Sequence, residues 1–238
     1  MKWKQRHEAW VISLKILVVD PIVKTEPTRD INKIYLALKL KEVSVGFESL
    51  KQGPCFIETE EDEKSAVPDL LRVVKEGEEK GYDGVIINCF GNPGLEEARK
   101  VVKIPVIGAG EASFLKVKEA ERRFSVLTTV EEAVRRVRRN ARKWGVESFL
   151  VSVRPLGMHV LELGQKERLR KALVVEGGKA VQEDHAEVVV LGCTGMAGNA
   201  EWLSKKLGVP VIDPAKAAFE MTIKMLTQKL DEGAFMKI

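Results

Sequence analysis

Cysteine, histidine and long apolar runs are all scarce in this chain. Its 238 residues include three cysteines and no Cys-x-x-Cys spacing, which argues against a disulfide framework and for reduced thiols in a cytoplasmic setting. No run approaches the ~18 apolar residues of a membrane span. Near the start the apolar stretch extends from Ala9 to Leu14 before Lys15 interrupts it, too short and too charged for a signal peptide. His-Glu-x-x-His, clustered Cys/His spacing and the P-loop pattern are missing. No linker rich in Ser, Gly or Pro divides the chain, so two domains would be joined by ordinary crossovers.

A hydrophobic content of 45% is enough for a substantial core, in one large α/β domain or two small ones. The net charge of +4 arises from 39 basic and 35 acidic residues, a mild excess that does not call for a nucleic-acid partner. Basic residues concentrate between Val134 and Trp144. At helical spacing Val134, Val137, Ala141 and Trp144 form an apolar stripe, leaving Arg135, Arg136, Arg138, Arg139, Arg142 and Lys143 as a solvated face. Glu131 and Glu132 stand at (i, i+4) from Arg135 and Arg136 and are their expected partners.

Short β-rich runs alternate with helical patterns, the signature of βαβ units and a parallel sheet covered on both faces. Strands are expected at Lys15–Asp20, Val43–Phe47 and in "GVIIN", "PVIG", "FSVLTT", "FLVSVR", "EVVVLG" and "PVID". Helices are expected near Asp30–Lys41, from Pro68 to about Gly81, from Leu95, from Glu111, across the basic run, from Gln165 to Asp184 and from Pro214 to Leu230. Trp3, Trp10 and Val11, upstream of the first strand, are candidates for an interface or a sheet-edge cover.

The chain also resembles itself. Tyr82–Ala112 and His185–Ala217 each run through an apolar strand, Cys-x-Gly, a loop with a second glycine, a helix and a short Pro-Val-Ile strand. Cys89 and Cys193 take equivalent places, at strand carboxyl ends where parallel sheets form their ligand crevice. A thiol ahead of a helix N-terminus meets unpaired N–H groups and the positive end of the dipole, which predicts a lowered pKa. Gly91, Gly94, Gly195 and Gly198 allow close backbone approach to a ligand. A single strand-end cysteine is usually packing, but two in matching loops point to chemistry. Cys55 has no counterpart and reads as structural or peripheral. His185 lies at the far end of the strand that leads to Cys193, roughly 26 Å away; His159 reads as structural. The Gly-x-Gly at Gly108–Gly110 comes late in the sheet and makes a poor dinucleotide motif.

"CFGNPGL", "GEAS", "FSVLTT", "LGCTGM" and "GVPVID" occur in this order, preceded by "GPCFIETEEDEKSAVPDLL". With these motifs the chain resembles the hydantoin racemases of the aspartate/glutamate racemase superfamily, from Lys15 to the C-terminal helix. The resemblance implies an α/β fold of two pseudo-symmetric flavodoxin-like or Rossmann-like lobes, residues 1–112 with 211–238 and residues 113–210, around an active-site cleft. It also implies racemisation without cofactor or metal, a small-molecule substrate, no membrane or nucleic-acid partner, a cytoplasmic location and self-association into a homo-oligomer.

Carried onto this chain, the resemblance makes Cys89 and Cys193 facing acid/base groups at a carbon next to a carbonyl. Backbone N–H groups around Phe90–Gly91 and Thr194–Gly195 would stabilise the developing oxyanion, and Thr128 and Thr129 would hydrogen-bond the substrate. Hydantoin racemases usually carry Asn-Pro-Asn and then Ser or Thr after the first strand, where this chain reads Asp20-Pro21-Ile22-Val23-Lys24. Asp20 is similar in place to an acidic residue of the amino-acid racemases and is a candidate substrate contact, so a 5-substituted hydantoin and an amino acid both stand as substrates. Cis/trans isomerisation, decarboxylation and ligand binding without turnover are the alternatives.

Overall fold

The computed structural model describes residues 2–6, 9–25, 32–38 and 40–235, and for 2–6, 9–12 and 229–235 the backbone alone. The side chains of Trp3, Trp10 and Val11, and positions 30, 31 and 39 of the helix expected near Asp30–Lys41, lie outside the described residues.

Two parallel sheets organise the molecule. The first holds β2 (Ala9–Asp20), β3 (Val43–Ser49), β4 (Gly84–Ile87) and β5 (Val106–Gly108) in the order β3-β2-β4-β5. The second holds β6 (Phe124–Thr128), β7 (Leu150–Pro155), β8 (Val188–Leu191) and β9 (Val211–Ile212) in the order β7-β6-β8-β9. Every pairing within these two sets is parallel, and each starts a new strand beside the first before stepping across it, so the two orders are the same pattern. The internal repeat is therefore structural: β4 and β8 are equivalent strands. β1 (Lys2–Arg6) adds an antiparallel hairpin onto residues 9–13, extending the first strand upstream of the expected Lys15.

The helices are α1 (Lys33–Leu38), α2 (Glu60–Glu79), α3 (Leu95–Val101), α4 (Ala109–Ala120), α5 (Glu132–Lys143), α6 (Lys166–Gln182), α7 (Ala200–Leu207) and α8 (Pro214–Phe235). Strand alternation assigns each a face. In β2, Ile16 and Val18 pack with Tyr35 of α1 and Phe219 and Leu226 of α8. Leu17 and Val19 point the other way, onto Leu70, Val73 and Val74 of α2 and Leu95 of α3. In the second sheet Leu127, Val189 and Leu191 meet α6 and α7, while Val126, Val188 and Val190 meet Val137 and Ala141 of α5.

One aromatic chain ties the Cys89 loop to the second core. Phe90, next to Cys89, stacks edge-on against Phe114 of α4 at 5.3 Å between centroids, and Phe114 meets Phe124 of β6 at 6.2 Å. The expected lobe boundary at 112/113 falls inside α4. That helix packs along α8 through Lys116–Glu220 and Lys224–Glu119 pairs while its Phe114 and Val117 enter the second core.

One helix start differs from expectation. Pro68 does not open a helix; it lies inside α2, which begins eight residues earlier at Glu60. Thr59 Oγ1 accepts from the Asp62 amide at 3.1 Å, and Asp62 Oδ2 accepts from the Thr59 amide at 2.9 Å. This reciprocal cap satisfies donors a helix start otherwise leaves open and so outweighs the proline signal. Asp62 Oδ2 also accepts from the Glu58 amide at 3.0 Å, which fixes the residue before the cap. Replacing Thr59 with Ala is expected to lower unfolding stability by about 1 kcal/mol, read as a shifted urea midpoint at unchanged slope.

Candidate active site

Both thiol loops are held by side-chain caps. After β4, Asn92 sits in the left-handed region at φ 57°, a conformation asparagine tolerates. Its Oδ1 accepts from the amides of Gly110 at 3.0 Å and Glu111 at 3.3 Å, anchoring the Cys89 loop to the start of α4. After β8 the roles are reversed: Asp213, ahead of α8, accepts from Gly198 at 2.6 Å as well as from Ala215 and Lys216. Gly192 leaves β8 with its amide on the Leu127 carbonyl at 2.7 Å, so close to β6 that a Cβ would collide with that strand.

The two loops meet. Thr194 Oγ1 donates to the Asn88 carbonyl at 3.1 Å, linking the residue after one cysteine to the residue before the other. Asn88 is itself locked, accepting from Tyr35 Oη at 3.0 Å and donating to Asp20 Oδ1 at 2.7 Å. A cavity of about 490 Å³ opens at this junction, lined by both Cys89 and Cys193 together with Asp20, Asn88, Thr194 and Gly195. Its walls carry Ile22, Ile34, Phe56, Ile57, Val160, Leu163 and Leu169, with the basic residues Lys33, Lys166 and Arg170 also in the lining, a mix of apolar surface and convergent polar groups as in small-molecule sites generally. Among the described residues no cluster of His, Cys, Asp and Glu could hold a metal, and no helix is long and apolar enough to cross a membrane.

Comparison with known proteins places this geometry. Residues 16–222 match the model of the Asp/Glu/Hydantoin racemase family. The chain belongs to that family. It is 35% identical over 219 residues to a hydantoin racemase of Pseudomonas sp. (strain NS671), covering 91% of this chain and 88% of that one. A hydantoin racemase of Rhizobium meliloti is 34% identical, with 94% and 96% covered. Among solved structures, an allantoin racemase from Klebsiella pneumoniae superimposes with a TM-score of 0.86 at 30% identity, covering 91% of this chain and 89% of that one.

The racemase fold does not bring every expected residue to the cavity. Asp20 lines it, yet the carboxylate is fully buried and occupied: Asn32 donates to it at 2.6 Å, Asn88 at 2.7 Å, and Lys24 pairs with it at 3.0 Å. Burial raises its pKa against these three partners. Phe90, Gly91 and Thr129 face a smaller chamber behind the main cavity, bounded by both cysteines and Thr194. Thr128 borders neither space; its carbonyl accepts from Leu156 and it is buried in β6. Cys55 is exposed and lines neither. His159 also stays outside, holding Glu58 Oε2 through Nδ1 at 2.9 Å.

The expectation of lowered thiol pKa values is overturned. Neither cysteine stands at an α-helix N-terminus: α3 starts six residues after Cys89, and Cys193 precedes a 3-10 turn at Thr194–Met196. Burial dominates and pushes the Cys89 thiol up to about 12, helped by Glu63 and opposed by Arg136 and the Gly91 amide. Cys193 is raised too, by burial, against the Gly195 amide that donates to its sulfur at 3.4 Å and against Arg136.

Arg136 is the residue the sequence pattern hid. It belongs to the basic run expected to be solvated, but its side chain is 13% exposed and turns into the cleft. It bonds the Glu58 carbonyl at 2.6 Å and pairs with Glu63 at 3.3 Å rather than with Glu132. Arg139, Arg142 and Lys143 pair with Glu60, Glu147 and Glu96. The clue was helical phase, since Arg136 borders the stripe through Val137 and Asn140.

Two expectations follow for the thiols. In the native chain at pH 8, Cys55 reacts with iodoacetamide fast while Cys89 and Cys193 react slowly, because desolvation disfavours ionisation of the half-buried pair; peptide mass spectrometry resolves the three. Gly91→Ala would bring a Cβ against the Glu63 carboxylate and is expected to displace it, speeding Cys89 alkylation in the same peptide assay because Glu63 raises that thiol.

Proposed function

We propose that this chain racemises a 5-substituted hydantoin-type substrate without a cofactor, using Cys89 and Cys193 as paired acid and base. The observation that carries this reading is that equivalent loops of two like sheets deliver one thiol each to a single cavity. The lobes of the reading are residues 1–112 with 211–238 and residues 113–210, with α4 shared between them.

The proton at C5 of such a ring is acidic because the adjacent carbonyl takes up the charge left when it departs. One sulfur, as thiolate, removes that proton from one face and becomes a thiol. The opposite thiol delivers its proton to the other face and becomes the thiolate, so configuration inverts and the enzyme ends in the mirror protonation state. Amides near Gly91 and Gly195 supply donors for the enolate-like oxygen. A carbon acid of this kind is weak, and a thiolate from a high-pKa thiol is the stronger base for it. Burial therefore trades the population of thiolate for its basicity.

The cavity wall selects among substrates. Ile22 is an apolar part of that wall, and Asp20 is already bonded. An alkyl or aryl group at C5 gains from burial against Ile22, Phe56, Ile57 and Leu163. The same reading carries a cytoplasmic, self-associating enzyme, and light scattering on the purified chain checks the second point.

Incubating the chain with an enantiopure 5-benzyl- or 5-isobutylhydantoin in deuterated water is expected to give loss of optical rotation with deuterium at C5. Cys89→Ala and Cys193→Ala are each expected to lower racemisation by about 10²–10⁴-fold. Enantiomers have equal free energies, so kcat/KM must fall by the same factor in both directions. Retained racemisation in either variant would remove that cysteine from the mechanism.

A further inference from the structure

The small chamber behind the main cavity has a volume of about 30 Å³, room for a water or two but not for substrate. Both thiols line it, and the charged side chain in its wall is Arg136. That guanidinium is fixed from two sides, through Nη1 to the Glu58 carbonyl and through Nε to Glu63 Oε1. Glu63 in turn lies so close over Gly91, two residues past Cys89, that a Cβ there would strike the carboxylate. Its Oε1 is buried without a hydrogen bond.

A two-thiol cycle always contains one anion and one neutral sulfur, and each turnover exchanges them. Two separate cations would hold a thiolate on both sides and leave no acid. A single cation in the wall of a chamber that both sulfurs line favours one anion at a time and serves either. We propose that Arg136 is this shared counter-cation of Cys89 and Cys193, and that Glu63, placed against the Cys89 loop, biases the resting anion toward Cys193.

This rests on the reading that the thiols carry the chemistry, and it assigns Arg136 and Glu63 positioning roles through charge. The groups around Arg136 agree with it. Glu58, Asp62 and Glu63 face it from α2 and the loop before it, Arg139 shares Glu63 and pairs with Glu60 from α5, Glu131, Glu132, Arg135 and Arg138 border the same outer surface, and His159 holds Glu58 from the second lobe. Arg136 draws both thiols downward, whereas Glu63 pushes Cys89 up and Glu58 pushes Cys193 up.

Alkylation of the full chain without substrate tests the proposal. Iodoacetamide reacts with thiolate, and each unit of pKa is about tenfold in thiolate below the midpoint. Rates at Cys89, Cys193 and Cys55 are followed by peptide mass spectrometry from pH 7 to 10.5, with far-UV circular dichroism for fold. R136Q is expected to slow Cys89 and Cys193 about three- to tenfold and leave Cys55 unchanged, while R136K keeps both within about twofold. E63Q is expected to speed Cys89 about threefold or more, with Cys193 within about twofold. Unmoved Cys89 and Cys193 profiles in folded R136Q overturn the shared cation. If R136Q does not fold, E63Q decides: a Cys89 profile that fails to move to lower pH overturns the charge coupling. Because no substrate is present, a failed hydantoin assay would count against the proposed reaction and leave this result standing.

Discussion

The hydrogen bond from Thr194 Oγ1 to the Asn88 carbonyl joins the two cysteine loops, and the site depends on that junction. Each loop alone is a strand-end turn beside its own sheet. Bonded across the cleft, they place both thiols on one cavity wall. The bond holds because Asn88 cannot drift: Tyr35, Asp20 and Asn32 occupy its amide. Buried polar networks of this kind are costly when incomplete and rigid when complete, and the described members of this one are bonded. Asp20 is thus a strut for the site.

Burial and charge oppose each other at the sulfurs. An apolar cavity with an aromatic-anchored loop raises the cost of a thiolate, as the upward shift of both cysteines records. The counterweight comes across the lobe interface, where the basic face of α5 meets the acidic start of α2. Interlobe ion pairing and thiol chemistry therefore share the same groups. Glu58 adds a second tie, accepting from Val160 at 2.6 Å and from His159, which brings the apolar wall at Val160 and Leu163 over the thiols.

Much of the fold was legible in the sequence. Alternating β-branched runs and helical stripes located the strands and most helices, since period-2 and period-3.6 burial leave direct marks on residue order. Self-similarity paired Cys89 with Cys193, and the two sheets reproduce it strand for strand. The start of α2 was missed because Pro68 is a louder signal than the Thr59–Asp62 cap. Thr128 and Thr129 read alike in sequence and both are buried, yet only Thr129, just past the end of β6, borders the chamber.

Residue order determined the duplicated α/β units, the matching strand-end thiols and the racemase family, because these depend on local periodicity and on motifs whose spacing is visible along the chain. Tertiary structure decided the electrostatics. Whether a cysteine is easy or hard to ionise depends on what surrounds it, and Glu63 and Arg136 are distant in sequence from one or both thiols. Whether Arg136 is a solvated charge or an interior one depends on which face of α5 meets the other lobe. Charge interactions act through space and through the dielectric between groups, and neither is written in the order of residues.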